Sequence, residues 1–264
     1  MQIYDFFFNL LKKHPYATGY STLFSYFCVM ISKNRIKQIH SLARRKEREA
    51  TGLFVAEGPK LIEDLRSSFT LEALFDDLTK DELQKASLQQ APQGPIAIFK
   101  LPHWQVPSPN SDELILALDT IQDPGNLGTI VRVADWFGIE NIVCTNETAD
   151  IFAPKAVQAT MGAIARVKVH YTDLTSWLSE AKSQGKNIYG TFLDGENIYE
   201  KTLSDTGIIV MGNEGNGISA SIAREVTEKL FIPPYPSDRE TSESLNVAMA
   251  TGIICAEFRR RLAI

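Results

Sequence analysis

The sequence predicts an α/β protein in which a parallel sheet covered on both faces follows a smaller α/β module. Three observations carry that prediction. After residue 112, short strands that are apolar throughout alternate with helices, the pattern of a parallel sheet buried on both sides. Between residues 102 and 112, Pro102, Pro107, Pro109, Asn110 and Ser111 break all apolar periodicity and mark a linker. The total of 264 residues accommodates one large or two modest domains at roughly 150 residues each. The resulting division is an extension over 1–29, a first module over 30–107 and a second domain over 108–264.

From Ser32 to Arg48, Ile36, Ile39, Leu42 and Ala43 recur at helical spacing. The other faces of that helix carry Lys33, Arg35, Lys37, Arg44, Arg45, Lys46 and Arg48. Leu53–Ala56 reads as a buried strand, and Pro59 opens a helix whose buried face is Leu61, Ile62 and Leu65. Strands are expected at Leu71–Phe75 and Ile96–Phe99, with a helix over Lys80–Ala86 between them. Past the linker, strands are expected at Leu114–Leu118, Ile142–Cys144, Val167–His170, Ile188–Leu193, Ile208–Met211 and Leu230–Ile232. The intervening helices are Thr129–Phe137, Pro154–Met161, Thr175–Ser183, Ala220–Glu228 and Ser244–Leu262.

Residues 1–31 are mildly apolar, with Phe6-Phe7-Phe8 and the stretch from Ala17 to Ile31. Asp5 stands where a signal peptide carries positive charge, and Lys12-Lys13-His14-Pro15 splits the stretch short of the ~20 residues a span needs. Composition changes at Met30, which points to a start there or to a helical appendage before it; no membrane association is expected.

A hydrophobic content of 44% with 22% charged residues excludes disordered, collagenous and coiled-coil classes. Cys28, Cys144 and Cys255 are too few and too scattered for a disulfide framework or a zinc site, so a reducing, cytoplasmic compartment and no metal are expected. A net charge of −5 offers nucleic acid no global attraction, and binding must come from a local basic patch. The first helix supplies one.

Phosphate-loop, H-E-x-x-H and C-x-x-C motifs are missing, and Gly212-Asn213-Glu214-Gly215-Asn216-Gly217 lacks dinucleotide-binding spacing. Three other segments bear chemistry. Asp119 to Gly128, followed by Thr129-Ile130-Val131-Arg132, takes a strand through a turn into a helix, where open α/β sheets bind ligands. Val210 to Ser219 puts Glu214 among three glycines that allow close backbone approach. Glu243 to Gly252 opens a helix in small residues, with Ser244 as a candidate N-cap.

In order and spacing these segments resemble the three motifs of the SpoU/TrmH branch of the SPOUT RNA methyltransferases, over roughly Leu114 to Arg261. The upstream module resembles the ribosomal-protein-like substrate-binding domain of that branch, with Ala56-Glu57-Gly58 and Pro92-Gln93-Gly94 in corresponding places. The resemblance implies a C-terminal trefoil knot, S-adenosyl-L-methionine as methyl donor, and transfer to a ribose 2′-hydroxyl of RNA, with 23S ribosomal RNA favoured over transfer RNA. A non-catalytic RNA-binding assembly protein is the reading from a different class. The resemblance assigns the cofactor to backbone groups of Gly212, Ile232 and Leu245, and functional polar positions to Asn126, Arg132, Glu214, Ser244 and Asn246. Arg132 acts either as base or as phosphate clamp. RNA contact falls to Lys33, Arg35, Lys37, Arg44, Arg45, Lys46 and Arg48. A homodimer is also implied, and Val247, Ile254 and Phe258 serve either its interface or the core. The segment Pro233–Glu243 is longer than the family's usual connection.

Overall fold

The computed structural model describes residues 31–236 and 244–260. The expected start at Met30 and most of the 233–243 segment lie outside the described residues.

Helix α1 (Lys33–Ser41) begins where the Ser32 side chain accepts the Arg35 N–H, and α2 (Arg45–Thr51) ends on Gly52 in the left-handed region. The single helix expected over Ser32–Arg48 is therefore two, broken at Leu42–Arg44. Strands β1 (Leu53–Glu57), β2 (Leu71–Phe75) and β3 (Ile96–Lys100) pair antiparallel in the order β1-β3-β2. Helix α3 (Pro59–Arg66) covers this sheet with Leu61, Ile62 and Leu65, and α4 (Lys80–Ala86) starts with a reciprocal Thr79–Glu82 capping box. Glu57 is buried and accepts the Leu88 N–H at 2.8 Å and the Ser87 hydroxyl at 2.5 Å, so this carboxylate fastens the chain after α4 to β1.

The second sheet is parallel throughout, in the order β6-β5-β4-β8-β7-β9. Its strands are β4 (Leu114–Leu118), β5 (Asn141–Cys144), β6 (Lys168–Tyr171), β7 (Ile188–Asn197), β8 (Gly207–Met211) and β9 (Glu228–Phe231). Leu118, Cys144 and Met211 stand in register at its carboxyl edge, as do Cys144 and Tyr171. Alternate residues face opposite layers, as a strand requires. Leu114, Leu116 and Leu118 pack toward α5 (Pro124–Trp136), α6 (Pro154–Ala159) and α9 (Val247–Arg260). Ile115 and Ala117 pack toward α7 (Leu174–Ser183) and toward Ile222 of the short helix α8 (Ala220–Ala223). Close packing sets sequence limits here: a Cβ on Gly128 of α5 would stand 2.6 Å from the Ala156 carbonyl of α6.

Several expected elements differ in extent, β7 running to Asn197 instead of Leu193 among them. Helix α5 starts at Pro124, five residues before Thr129, because Asp123 caps it by accepting the Asn126 N–H at 2.9 Å. Helix α8 stops at Ala223, so Glu228 begins a strand instead of ending a helix. Val247, Ile254 and Phe258 are all buried in the chain's own core, which removes them as a dimer surface.

No helix or strand forms between Lys100 and Leu114, yet the stretch is anchored. Trp104 packs edge-on to Phe69 of the first module and against Phe152 of the second, and Trp177 donates to the Pro107 carbonyl at 3.0 Å. Phe54, Phe69 and Phe99 share one continuous core with the parallel sheet. The two sheets are thus packed together rather than loosely strung.

Candidate active site

The carboxyl edge of the parallel sheet brings the three singled-out segments together. Chain leaving β4 passes Asp119 and Thr120, where Thr120 takes a positive φ of 58°. Asp119, directly after five apolar residues, is buried; its carboxylate accepts the Ser219 N–H at 2.7 Å and so ties the segment after β8 to the end of β4. That segment folds on itself through mutual 2.9 Å backbone bonds between Asn213 and Gly217. The Asn213 side chain accepts from the Gly215 and Asn216 N–H groups and donates to the Thr120 carbonyl at 2.7 Å. Gly212 lies where a Cβ would collide with the Gly217 and Ile218 backbone, so only glycine fits.

This scaffold presents Glu214 to Asn126. The Asn126 Nδ2 donates to Glu214 Oε1 at 3.0 Å, and the Gln122 and Asp123 N–H groups approach the same carboxylate at 3.3 and 3.5 Å. Burial alone would push the Glu214 carboxyl up, but the Asn126 side chain and these backbone donors hold it below the ordinary glutamate range. The Asn126 Oδ1 accepts from Asn246 Nδ2 at 3.0 Å, while Asn246 Oδ1 accepts the Ala248 and Met249 N–H groups. Asn246, rather than Ser244, therefore caps α9, which begins at Val247. A continuous Asn246–Asn126–Glu214 chain of hydrogen bonds joins three distant parts of the sequence.

The other expected site residues are not part of this chain of bonds. Ser244 is exposed two residues before Asn246. Arg132 lies two turns along α5 from Asn126 on an exposed face and makes no hydrogen bond or ion pair among the described residues. Gly212 follows β8, Ile232 follows β9 half-buried against the core, and Leu245 precedes Asn246 half-exposed. These positions offer main-chain donors and acceptors with apolar side chains and no charge, a set that fits the neutral adenine ring of S-adenosylmethionine. Asp119 and Asn213 were assigned no role from sequence; a lone carboxylate ending an apolar strand was the available signal.

On the first module, Lys33, Arg35, Lys37, Arg44, Arg45 and Lys46 are exposed on α1 and at the start of α2. Arg45 is bonded to Glu49 at 2.8 Å and lies over the Tyr171 ring at 5.6 Å. Arg48 corrects the expectation: it is buried, donating to the Leu42 and Ala43 carbonyls and to Asp150. Its charge holds the helix break and joins the two units, and it is not available to RNA. Among the described residues no His, Cys, Asp and Glu cluster could hold a metal ion, and no helix is long and apolar enough to cross a membrane.

Comparison with known proteins identifies the family. The SpoU rRNA Methylase family matches residues 113–256, and the MRM3-like substrate binding domain matches residues 33–94. The 23S rRNA (guanosine(2553)-2′-O)-methyltransferase RlmP of Bacillus subtilis is 30% identical over 85% of this chain and 96% of its own. A TrmH-family structure from Porphyromonas gingivalis superposes with a TM-score of 0.78 at 40% identity, covering 88% of this chain and 99% of that one. An AdoMet-bound rRNA methyltransferase from Sinorhizobium meliloti gives the same TM-score at 28% identity, covering 88% and 96%. With its family match spanning more than half of its length, the chain belongs to the SpoU rRNA methylase family.

Proposed function

We propose that this chain transfers the methyl group of S-adenosyl-L-methionine to a ribose 2′-hydroxyl of 23S ribosomal RNA. The observation that carries the reading is the hydrogen-bonded chain of Asn246, Asn126 and Glu214 at the carboxyl edge of the sheet. The relative named for 23S rRNA 2′-O-methylation matches 85% of this chain, which favours ribosomal over transfer RNA.

Gly212, Ile232 and Leu245 would hold the cofactor through main-chain groups; when bound, it supplies a methyl on a positively charged sulfur. The chain's own residues must align the ribose oxygen with that methyl and stabilise the developing oxyanion. Asn126 is fixed on both sides, by Glu214 and Asn246, and so holds one orientation toward the ribose. Arg132 is solvent-exposed, and its planar guanidinium presents hydrogen-bond donors only. Its role in this reading is to clamp the phosphate beside the target ribose with its charge. Ser244 shapes the mouth next to Asn246.

A homodimer belongs to the same reading. Arg132 and Trp136 lie one turn apart on α5, Trp136 is 84% exposed, and Met249 on the neighbouring helix α9 is 64% exposed. A second copy covering that face would bury these apolar groups and bring Arg132 beside a subunit boundary. Residues 30–107 serve as the RNA-binding module and 108–264 as the catalytic domain, working in the cytoplasm.

Purified chain with methyl-labelled S-adenosylmethionine should methylate a 23S transcript at one ribose and leave transfer RNA unlabelled. Label in transfer RNA alone would replace ribosomal RNA as the substrate, and cofactor binding with no transfer to either RNA would favour a non-catalytic binder.

A further inference from the structure

Between α2 and the outer edge of the parallel sheet lies a cavity of about 280 Å³. That is just under the roughly 300–1,000 Å³ of small-molecule pockets. Arg45 and Glu49 of α2, Trp104 and Val106 of the connecting stretch, and His170 and Tyr171 of β6 line it. None of these groups belongs to the hydrogen-bonded chain at the candidate active site.

Its chemistry is specific in two respects. The arginines on its wall are already matched, Arg45 by Glu49 at 2.8 Å and Arg48 by Asp150, so the cavity has no surplus charge for a phosphate. What remains is aromatic surface, with Trp104 and His170 ring centroids 6.2 Å apart and Arg45 over Tyr171, plus a Glu49 carboxylate whose second oxygen accepts hydrogen bonds. Outside, the exposed Lys46 follows Arg45 along the chain, and Arg44 before it is paired with Glu47 at 3.7 Å. A neutral planar group inside and phosphates outside describe a single nucleotide turned out of its strand. Protein recognition of RNA uses such splayed bases, stacked on aromatic rings and hydrogen-bonded at their edges.

We propose that this cavity takes one unpaired nucleobase of the RNA substrate, stacked on Trp104 with its amino group donating to Glu49. The proposal rests on the RNA methyltransferase reading above. Position supports it: Tyr171 ends β6 in register with Cys144, which is in register with Leu118 at the mouth of the candidate active site. Two strand spacings, roughly 10 Å, separate Tyr171 from Leu118 along one sheet edge. One RNA segment spans both places.

The test uses the full chain and 23S ribosomal RNA transcribed in vitro. Val106→Trp fills the cavity, and Glu49→Ala removes the acceptor; both positions lie outside the methyl-transfer residues. Val106→Trp should weaken transcript binding in a filter assay by roughly five- to 150-fold, the range for one stacked base, and Glu49→Ala by roughly two- to twelve-fold, the range for one hydrogen bond. Calorimetric affinity for S-adenosylmethionine and the thermal midpoint should stay at wild-type values. Independently of either variant, transcript should quench tryptophan emission in the wild type and do so less in Trp104→Phe. Wild-type affinity in both cavity variants, or equal quenching in Trp104→Phe, overturns the proposal while leaving RNA methylation intact. A wild-type chain that binds no transcript overturns the underlying reading as well.

Discussion

Replacing Arg48 with alanine separates a scaffold residue from an RNA contact. The side chain is 2% exposed and donates to the Leu42 carbonyl at 2.8 Å, the Ala43 carbonyl at 2.9 Å and Asp150 through both Nε and Nη2. Arg48→Ala strands the Asp150 carboxylate, whose side chain is 16% exposed, together with two carbonyls at the helix break. Removing one partner of a buried ion pair costs about 3–5 kcal/mol, and water reaching Asp150 brings the expectation to about 3 kcal/mol. At roughly 2–4 °C per kcal/mol for a chain of this size, the thermal midpoint should fall by about 6–12 °C in scanning calorimetry. RNA affinity measured well below that transition should keep its wild-type salt dependence, because each phosphate contact adds about one to the slope and Arg48 makes none. An unchanged midpoint with a slope reduced by about one would refute the reasoning, since Arg48 would then be on the RNA.

Arg132→Ala should leave S-adenosylmethionine affinity in calorimetry near wild type and cut methyl transfer by roughly 100- to 1000-fold, with Arg132→Lys partly restoring a phosphate clamp; near-normal turnover in Arg132→Ala would count against the assignment. Glu214 is held below the ordinary 4.5 of a glutamate, so its stabilisation is complete above that pH and is lost as pH falls through the lower folded value. An acid titration of thermal stability should show that loss in the wild type and not in Glu214→Gln. Gly212→Ala drives a methyl into the Gly217–Ile218 backbone, and calorimetry should find cofactor binding lost with about 1–3 kcal/mol of stability. Light scattering should give twice the chain mass for the wild type and a smaller species for Trp136→Glu; identical masses would exclude Trp136 from the interface.

Much of the architecture was legible because β4 and β8 are apolar at every position, which only a sheet covered on both faces explains. The misread elements depended on partners far along the chain. Arg48 resembles its six basic neighbours in sequence, and only Asp150, 102 residues away, makes it a core residue. Helix α5 hid its first turn in Pro124-Gly125-Asn126, residues that also favour turns, and the Asp123 cap decided for helix. Ile222 and Val226 have helical spacing, yet pairing of β9 with β7 took the residues from Glu228 into the sheet. At the candidate site, residue types were readable from local motifs, whereas the bond linking Asn126 to Asn246 was not, because no local pattern predicts it.

The hydrogen-bonded chain at the sheet edge also dictates when during synthesis a site can exist. Its bonds join residues 88 and 120 positions apart, and the central strand β4 takes β8 as a neighbour across a similar span. Translation delivers the first module early, so its antiparallel sheet can form while the rest is still being made. Asn126 then waits without its partners until Glu214, and finally Asn246 with α9, have left the ribosome. A nascent chain halted before α9 therefore lacks the Asn246–Asn126 bond and carries the candidate site unfinished.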